Sequence, residues 1–339
     1  MSATEYVKKL RVGWNLGNTL DSHPKHNKKL PFRQETLWGN PLTTKAIIHK
    51  VRESGFDMLR IPVSWYAQMG DAPDFVIKEE WLQRVKKIVD YGINLGMTVI
   101  VNLHHEDWHT PTDENYPVAK EQMKKVWTQI ANYFESYDDK LIFESMNEPR
   151  VIDSPEEWLG GDEEGRRVVM QLNQDAVEAI RATGGNNSSR MIMVTNYASS
   201  YYEVAMADFE MPNDENLIMS IHAYVPYEFA LGGDFSLNVW KEEYENDIDE
   251  LFARIDKYFI SKGIPVIMGE CGARKKGDNE DARAKWAEYY TAKAREYGVP
   301  CLWWDNGPLD GPEHVEVFGL LNRNTVEWAY PKILKNFVT

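Results

Sequence analysis

Residues 79–103 read EEWLQRVKKIVDYGINLGMTVIVNL, and this stretch decides the fold. Apolar side chains recur at helical spacing from Trp81 to Ile93, and Gly96 ends the pattern as a residue that commonly terminates helices. A continuous apolar run follows over 98–103, which is typical of a strand covered on both faces. The stretch therefore predicts an amphipathic helix that leads into a buried strand.

The same alternation of strand and helix runs along the chain. Strand-like apolar runs are predicted at 11–16, 58–63, 98–103, 141–146, 191–195, 217–221, 265–268 and 301–304. Helical patterns are predicted at 44–54, 79–95, 120–136, 163–183, 199–207, 238–261, 279–297 and 328–336. Strands that alternate with helices imply a parallel sheet with right-handed crossovers. The predicted fold class is therefore α/β, a single (β/α)8 TIM barrel that forms one domain over residues 1–339.

An open, doubly wound sheet is the alternative architecture. Such sheets carry a glycine-rich phosphate-binding turn after the first strand. Residues 13–18 read GWNLGN, which lacks the spacing of that turn. No Pro- or Ser-rich linker interrupts the chain, so we expect one barrel domain.

Charge limits the classes of partner. The 339 residues carry 38 Lys plus Arg and 53 Asp plus Glu, which gives a net charge of −15 with His neutral. This charge argues against nucleic acid or an anionic membrane as a partner and suits a neutral substrate. No apolar run approaches the ~20 residues that span a bilayer. Residues 1–5 lack the features of a signal peptide, so we expect an intracellular protein or a mature or truncated chain of a secreted one.

The chain has two cysteines, Cys271 and Cys301. On the predicted strands they are offset by about four residues, or roughly 13 Å at the rise of a strand. A disulfide needs Cα atoms within about 7 Å. We therefore expect two free thiols.

Polar residues lie where a barrel carries its chemistry, at the carboxyl ends of the strands. They are Asn18 and Asp21 for the first strand, Arg60 for the second, His104, His105 and Glu106 for the third, Asn147 and Glu148 for the fourth, His222 and Tyr224 for the sixth, Glu270 for the seventh, and Trp304 for the eighth. Two carboxylates a few ångströms apart are the minimal machinery that cleaves a glycosidic bond. The sequence predicts that Glu148 and Glu270 form such a pair.

Each of these residues also has a structural explanation. Arg60 could be an ion-pair partner that only stabilises the fold, and Glu148 could be a turn residue before Pro149. His104 and His105 could be core histidines or metal ligands. Adjacent strand residues point to opposite faces, and the H-x-x-x-H spacing of helical zinc sites is absent. We therefore predict no metal and no cofactor.

The chain is rich in aromatic residues, with 12 Trp and 17 Tyr. Packing explains most of them, but some are expected to line a groove that stacks flat sugar faces. The tryptophans in or beside predicted loops are Trp38, Trp65, Trp108, Trp158, Trp240 and Trp304.

These motifs together resemble glycoside hydrolase family 5, whose barrel carries the acid/base on strand four and the nucleophile on strand seven. The chain is most similar to the bacterial endo-β-1,4-glucanases of the broad-specificity subfamily 4. The matching stretches are GWNLGNTL (13–20), RIPVSW (60–65), HH (104–105), NEPR (147–150), HAY (222–224), GE (269–270), WDNG (304–307) and FGLLNR (318–323). They cover nearly the whole chain. Cys271 replaces a frequent aromatic, and Glu106 stands where Asp is common.

The resemblance implies a role for each site residue. Glu270 is expected to be the nucleophile of a retaining reaction and Glu148 its acid/base, held protonated with help from the charge of Glu270. Support is expected from Arg60 and Tyr224, which hold Glu270 ionised, and from His222, which orients Glu148 or the leaving group. Asn147 is expected to bind the 2-hydroxyl of the sugar. Substrate contacts are expected from Asn18, His104, His105, Trp304, Trp38, Trp65 and Trp108.

The resemblance also implies the biological setting. The expected substrates are internal β-1,4 bonds of cellulose, mixed-linkage glucan and xyloglucan, and the expected location is extracellular, with the enzyme a monomer. A xyloglucanase, mannanase or xylanase would use the same machinery. A non-catalytic sugar-binding barrel and a metal-dependent hydrolase are the alternatives of another class.

Overall fold

The computed structural model describes residues 1–24 and 34–339. Eight parallel strands close into a barrel in chain order, and the first pairs with the eighth. The strands are β1 (Val12–Leu16), β2 (Met58–Ile61), β3 (Thr98–Asn102), β4 (Leu141–Glu144), β5 (Ile192–Thr195), β6 (Leu217–His222), β7 (Val266–Cys271) and β8 (Cys301–Asp305). The predicted (β/α)8 barrel is confirmed.

Helices occupy the connections. They are α1 (Ala3–Val7), α2 (Lys45–Glu53), α3 (Glu79–Ile93), α4 (Tyr116–Tyr133), α5 (Glu163–Ala182), α6 (Glu203–Ala207), α7 (Tyr227–Ala230), α8 (Tyr244–Tyr258), α9 (Glu280–Glu296) and α10 (Pro331–Val338). The Asp162 side chain caps the amino-terminal end of α5, because it accepts a hydrogen bond from Gly165 N (2.7 Å). Among the described residues, no helix is both long and apolar enough to cross a membrane.

Three predicted helices begin later than expected, and one of them is α6, which begins at Glu203, not at 199. α8 begins at Tyr244, not at 238. α10 begins at Pro331, not at 328, because Glu327 and Trp328 form a short strand, β10, against β9 (Leu321–Asn322). A proline in the first helical turn loses no hydrogen bond, so Pro331 is a natural start.

Apolar packing fills the amino-terminal end of the barrel interior. The side chains that meet there are Met58, Ile100, Ile142, Met193, Ile218, Ile267 and Leu302, and Ala3, Tyr6 and Val7 of α1 pack below them. Side chains two positions further along a strand point to the same face. At those positions lie Gly269, Trp304 and five polar residues that are fully buried: Arg60, Asn102, Glu144, Thr195 and Ser220. The barrel therefore has an apolar base and a polar layer directly beneath its carboxyl-terminal rim.

Strand β7 has an irregular register. Met268 pairs with Cys301, and Cys271 pairs with Trp303. Both cysteines are free, as predicted, and both are buried. The predicted offset of about four residues is wrong, since Cys271 lies opposite a position only two residues after Cys301. An extra residue in a bulged strand shortens the ladder in this way.

Candidate active site

The centre of the polar layer is the Arg60 guanidinium on β2, which is fully buried. Its Nε donates to Glu144 Oε2 (2.7 Å), and its Nη1 donates to Glu270 Oε1 (2.6 Å) and to Asn15 Oδ1 (3.0 Å). Its Nη2 donates to Asn147 Oδ1 (2.7 Å). Arg60 is thus both a structural ion-pair partner and a direct contact of Glu270, so the two interpretations of Arg60 hold together.

Glu148 and Glu270 meet at the rim. One oxygen of each carboxylate, together with a ring nitrogen of His222, lies within 4.8 Å of the other two. His222 Nδ1 is 2.7 Å from Glu148 Oε1 and 3.7 Å from Glu270 Oε2. The Tyr224 hydroxyl donates to Glu270 Oε2 (2.9 Å). The folded chain therefore brings together the pair that the sequence predicts, with His222 between the two carboxylates.

The electrostatics of Glu148 differ from expectation. Burial raises the pKa of Glu148, but the hydrogen bond and charge of His222, followed by the charge of Arg150, outweigh burial and lower it. The direction of this shift is opposite to the expectation that the carboxyl is held protonated. His222 Nδ1 lies 2.7 Å and Arg150 Nη1 lies 3.7 Å from the carboxylate, and both contacts favour its charged form.

His104 has a fixed tautomer. Its Nδ1 accepts from Asn102 Nδ2 (3.1 Å), whose other hydrogen goes to Glu144 Oε2 (3.0 Å). Burial lowers the pKa of His104 well below its usual value, so the ring is neutral and its Nε2 carries the hydrogen. The ring is parallel to Trp304, with centroids 5.7 Å apart. His104 thus presents an N–H donor beside an aromatic face, a combination that suits a sugar.

His105 joins a second aromatic group at the rim. Its ring lies 5.0 Å from that of His23 and 5.6 Å from that of Trp38. Burial lowers the pKa of His105 to about 3, so this ring is also neutral. The structure places Trp38, which is half-buried, next to a predicted sugar contact.

Asn18 and Trp108 lie on loops at the same rim. Asn18 has a positive φ of 53°, its N–H donates to Asp21 Oδ2 (2.9 Å), and its carbonyl accepts from Asn40 Nδ2 (2.8 Å). Trp108 is half-buried, and its Nε1 donates to Glu106. Both stay candidate substrate contacts.

Trp65 is a correction. Its side chain is fully buried, and its Nε1 donates to the carbonyl of Asn102 (2.8 Å). The ring lies in the apolar layer between strands and helices. A side chain with no exposed surface cannot stack on substrate, so Trp65 is a packing residue.

Two groups of side chains could hold a metal ion among residues 1–24 and 34–339. One is Glu148, His222 and Glu270; the other is Asp21, His104 and His105. The second group contradicts the expectation that adjacent histidines point apart: the two rings are 4.5 Å from centroid to centroid. The chain has left β3 after Asn102, so the alternation of a strand no longer applies.

The sequence matches the family Cellulase (glycosyl hydrolase family 5) over residues 23–310. The chain belongs to this family. It is 43% identical to endoglucanase A of Ruminococcus albus over 332 residues, which are 97% of this chain and 90% of that protein. It is 44% identical to endoglucanase B of Neocallimastix patriciarum over 343 residues, which are 100% of this chain and 72% of that protein.

A solved structure agrees over the full length. A GH5-4 broad specificity endoglucanase from Ruminococcus champanellensis with bound cellotriose matches with a TM-score of 0.97 at 41% identity. The match covers 100% of this chain and 99% of that chain. The protein is therefore a glycoside hydrolase of family 5.

In this family 5 hydrolase, Glu144 is a site residue that the sequence interpretation does not include. Its Oε1 accepts from Ser220 Oγ (2.7 Å), and its Oε2 accepts from Arg60 and Asn102. Glu144 lies inside β4, whereas the sequence interpretation considers residues after the strand ends. An acidic residue within an apolar run, two positions after Ile142, is the signal that identifies it.

Proposed function

We propose that the protein is a retaining endo-β-1,4-glucanase that hydrolyses internal bonds of cellulose, mixed-linkage glucan and xyloglucan. The observation that supports this proposal is that one carboxylate oxygen of Glu148 lies within 4.8 Å of one carboxylate oxygen of Glu270. Retaining glycosidases have carboxyl groups about 5–5.5 Å apart, whereas inverting ones leave about 6.5–9.5 Å for a water molecule.

In the first step, an oxygen of Glu270 attacks the anomeric carbon, the glycosidic C–O bond breaks, and Glu148 gives its proton to the leaving oxygen. Arg60 and Tyr224 suit Glu270 to this task, because each donates a hydrogen bond to one oxygen of the carboxylate. These two hydrogen bonds hold the carboxylate in place for attack.

In the second step, Glu148 takes a proton from water, the water oxygen attacks the anomeric carbon, and the bond to Glu270 breaks. His222 is placed to hold Glu148 in both steps, at 2.7 Å. Arg60 holds Asn147 near Glu148 by donating a hydrogen bond to Asn147 Oδ1. Asn147 is proposed to bind the 2-hydroxyl of the sugar, a contact that strengthens in the transition state. A bound sugar excludes water from Glu148, which raises the proton affinity of this carboxylate before the first step.

The substrate range and setting are proposed from the relatives. The Ruminococcus champanellensis protein is a broad specificity endoglucanase with cellotriose bound, and this chain matches it along its length. His104, Trp304 and the other neutral aromatic rings suit an uncharged polymer. We propose action outside the cell, where such a polymer is met, by a monomer.

The test combines two substitutions with two substrates. Glu270→Gln abolishes turnover of soluble glucan but leaves oligosaccharide binding measurable. Glu148→Gln loses activity on glucan but retains the release of an activated aryl group, which needs no acid help. Glu80→Gln, an exposed site on α3, is the control. With the wild-type protein, NMR of the first products shows the β-anomer at the new reducing end, because a retaining reaction keeps the configuration of the cleaved bond. An α-anomer first, or equal loss on both substrates for Glu148→Gln, contradicts the proposal.

A further inference from the structure

The side chain of Asn102, the last residue of β3, has a fixed orientation. Its Oδ1 accepts from the backbone N–H of Val63 (3.0 Å), and its Nδ2 donates to Glu144 Oε2 (3.0 Å). The reverse orientation would set the NH2 of Asn102 against another N–H and its oxygen against a carboxylate oxygen. Asn102 and Glu144 are both fully buried, so solvent cannot satisfy either group in that orientation.

The second hydrogen of Asn102 Nδ2 sets the tautomer of His104. Asn102 Nδ2 lies 3.1 Å from His104 Nδ1. Because Nδ2 is a donor, Nδ1 of His104 must accept. Burial lowers the pKa of His104 well below its usual value, which favours a neutral ring with one hydrogen. That hydrogen therefore lies on Nε2, and Asn102 is the residue that places it there.

His104 Nε2 is open to the catalytic groove. His104 and Glu148 line one cavity, which has a volume of about 40 Å³. Within residues 1–24 and 34–339, the His104 ring makes one hydrogen bond, through Nδ1, and its Nε2 is not sealed from solvent. The N–H on Nε2 is thus accessible and unpaired, so a ligand beside Glu148 can accept a hydrogen bond from it.

Glu144 Oε2 connects this donor with Glu270. Arg60 Nε and Asn102 Nδ2 both donate to this oxygen, at 2.7 Å and 3.0 Å. Arg60 Nη1 in turn donates to Glu270 Oε1 (2.6 Å), and Asn102 donates to His104. One buried oxygen therefore orients two groups at the rim, the carboxylate that is proposed to attack the sugar and the ring that faces it.

We propose that Asn102 is a positioning residue, which holds the hydrogen of His104 on Nε2 so that His104 donates a hydrogen bond to an oxygen of the sugar at the cleavage point. This inference rests on the proposed glucanase function and deepens it. A residue that only tied β2 to β3 would stabilise the fold whichever ring nitrogen carried the hydrogen. The tautomer of His104, and the dependence of activity on it, therefore separate a positioning role from a structural one.

The first experiment determines the tautomer in the wild-type protein. Protein labelled with ¹⁵N in its histidines is studied by NMR at neutral pH, where a ring nitrogen with a hydrogen and a bare one have well separated shifts. The spectrum of His104→Gln identifies the signals of His104 by their absence. We expect a hydrogen on Nε2 and a bare Nδ1. A hydrogen on Nδ1 overturns the proposal.

The second experiment reverses the tautomer. Asn102→Asp keeps the shape of the side chain and the bond from Val63, but an oxygen replaces Nδ2, 3.0 Å from Glu144 Oε2. Two carboxyl groups this close share one proton, because both cannot ionise. The new oxygen donates that proton to Glu144 and accepts from Nδ1–H of His104. We therefore expect NMR to show a hydrogen on Nδ1 and a bare Nε2.

Activity is expected to follow the tautomer. With Nε2 bare, kcat/KM of Asn102→Asp falls about tenfold, which corresponds to about 1.4 kcal/mol. The loss is equal for cellohexaose and for 2,4-dinitrophenyl β-cellobioside, an activated aryl substrate, because both place a sugar at the cleavage point. An effect that acted through Glu148 as acid would spare the activated substrate. A bare Nε2 with wild-type kcat/KM overturns the proposal.

Asn187→Asp is the matched control. Asn187 is fully buried between α5 and β5, and its Nδ2 donates to Ala131 O (2.8 Å) and to Thr183 Oγ1 (2.9 Å). The replacement again puts a carboxyl oxygen against an acceptor, but before the amino end of a strand and thus away from the rim. It lowers the free energy of unfolding in urea and leaves kcat/KM and the tautomer of His104 unchanged. An equal loss of kcat/KM in both variants overturns the proposal.

Two substitutions of His104 test the donor without a change at Asn102. The amide oxygen of His104→Gln can accept from Asn102 Nδ2, which turns its NH2 toward the groove, whereas His104→Met offers no donor. His104→Gln is therefore expected to keep a several-fold higher kcat/KM than His104→Met. Equal loss overturns the donor role. If Asn102→Asp does not fold, this comparison and the wild-type tautomer decide the case.

The glucanase function fails separately. A wild-type protein that releases no reducing sugar from soluble β-glucan overturns that function, whereas the tautomer of His104 is measured without substrate. An active wild type with the hydrogen of His104 on Nδ1 overturns the role of Asn102 alone.

Discussion

Replacement of Arg60 by methionine probes both the fold and the chemistry. The guanidinium lies between two buried carboxylates, at 2.7 Å from Glu144 and 2.6 Å from Glu270, with side chains at most 6% exposed. Methionine keeps much of the apolar stem and removes every donor. Arg60→Met thus leaves two carboxylates that face one another without a cation.

The expected cost follows from this geometry. Removing one partner of a buried ion pair costs about 3–5 kcal/mol, because the remaining charge stays out of water. Domains are stable by about 5–15 kcal/mol, so this loss is a large fraction of the total. The variant also loses the hydrogen bond from Arg60 to Glu270 Oε1 (2.6 Å), so kcat/KM for an activated aryl substrate falls.

The assay pairs urea unfolding with kcat/KM for the activated aryl cellobioside, whose cleavage does not require the acid role proposed for Glu148. Arg60→Lys keeps a charge and lies between wild type and Arg60→Met in both measurements. The double variant Arg60→Met/Glu144→Gln removes one uncompensated charge and recovers part of the stability, about 1–3 kcal/mol.

Three results would refute the reasoning. A loss of stability below about 1 kcal/mol in Arg60→Met would mean that the buried carboxylates do not need their cation. An unchanged kcat/KM would mean that Arg60 does not support Glu270 in the reaction. Additive effects in the double variant would show that Glu144 and Arg60 act independently.

Three further outcomes are expected. Gly17→Ala displaces the Trp304 ring, because a Cβ there would lie 2.8 Å from it, and lowers kcat/KM at least tenfold without loss of fold by circular dichroism. Asp305→Ala leaves Arg323 buried without its partner (3.0 Å) and costs about 3–5 kcal/mol in urea unfolding. Burial raises the pKa of Glu106 from 4.5 to about 8. Between these pH values Glu106 is ionised in the unfolded chain but not in the folded protein, so the free energy of unfolding falls as pH rises. In Glu106→Gln, thermal unfolding therefore shows a weaker dependence of stability on pH over this range.

Much of the site could be predicted from the sequence, because a barrel places the residues that follow its strands at one end. The carboxyl ends of all eight strands lie at one rim, so residues that follow different strands become neighbours in space. Glu148 and Glu270 are 122 positions apart in the sequence, yet both follow or end a strand at this rim. Glu148, His222 and Glu270 obey this rule and meet within 4.8 Å. The sequence therefore determined the fold class and the proximity of the two carboxylates.

Other features depend on distances that no sequence pattern contains. Trp65 falls beside a predicted loop but packs inward, because the chain turns after β2 and buries its ring. The pKa of Glu148 depends on the approach of His222 and Arg150 to a few ångströms. The bulge in β7 changes which residues face each other across the last two strands.

The amino-acid sequence by itself determined that eight apolar runs alternate with amphipathic helices and that acidic residues stand near two strand ends. Periodicity is local, so it is visible in one dimension. Only the tertiary structure decided that Arg60 joins Glu144 to Glu270, that His104 donates through Nε2, and that Asn102 lies between Glu144 and His104. Hydrogen bonds and charges act over a few ångströms in space, and chain order does not specify those separations.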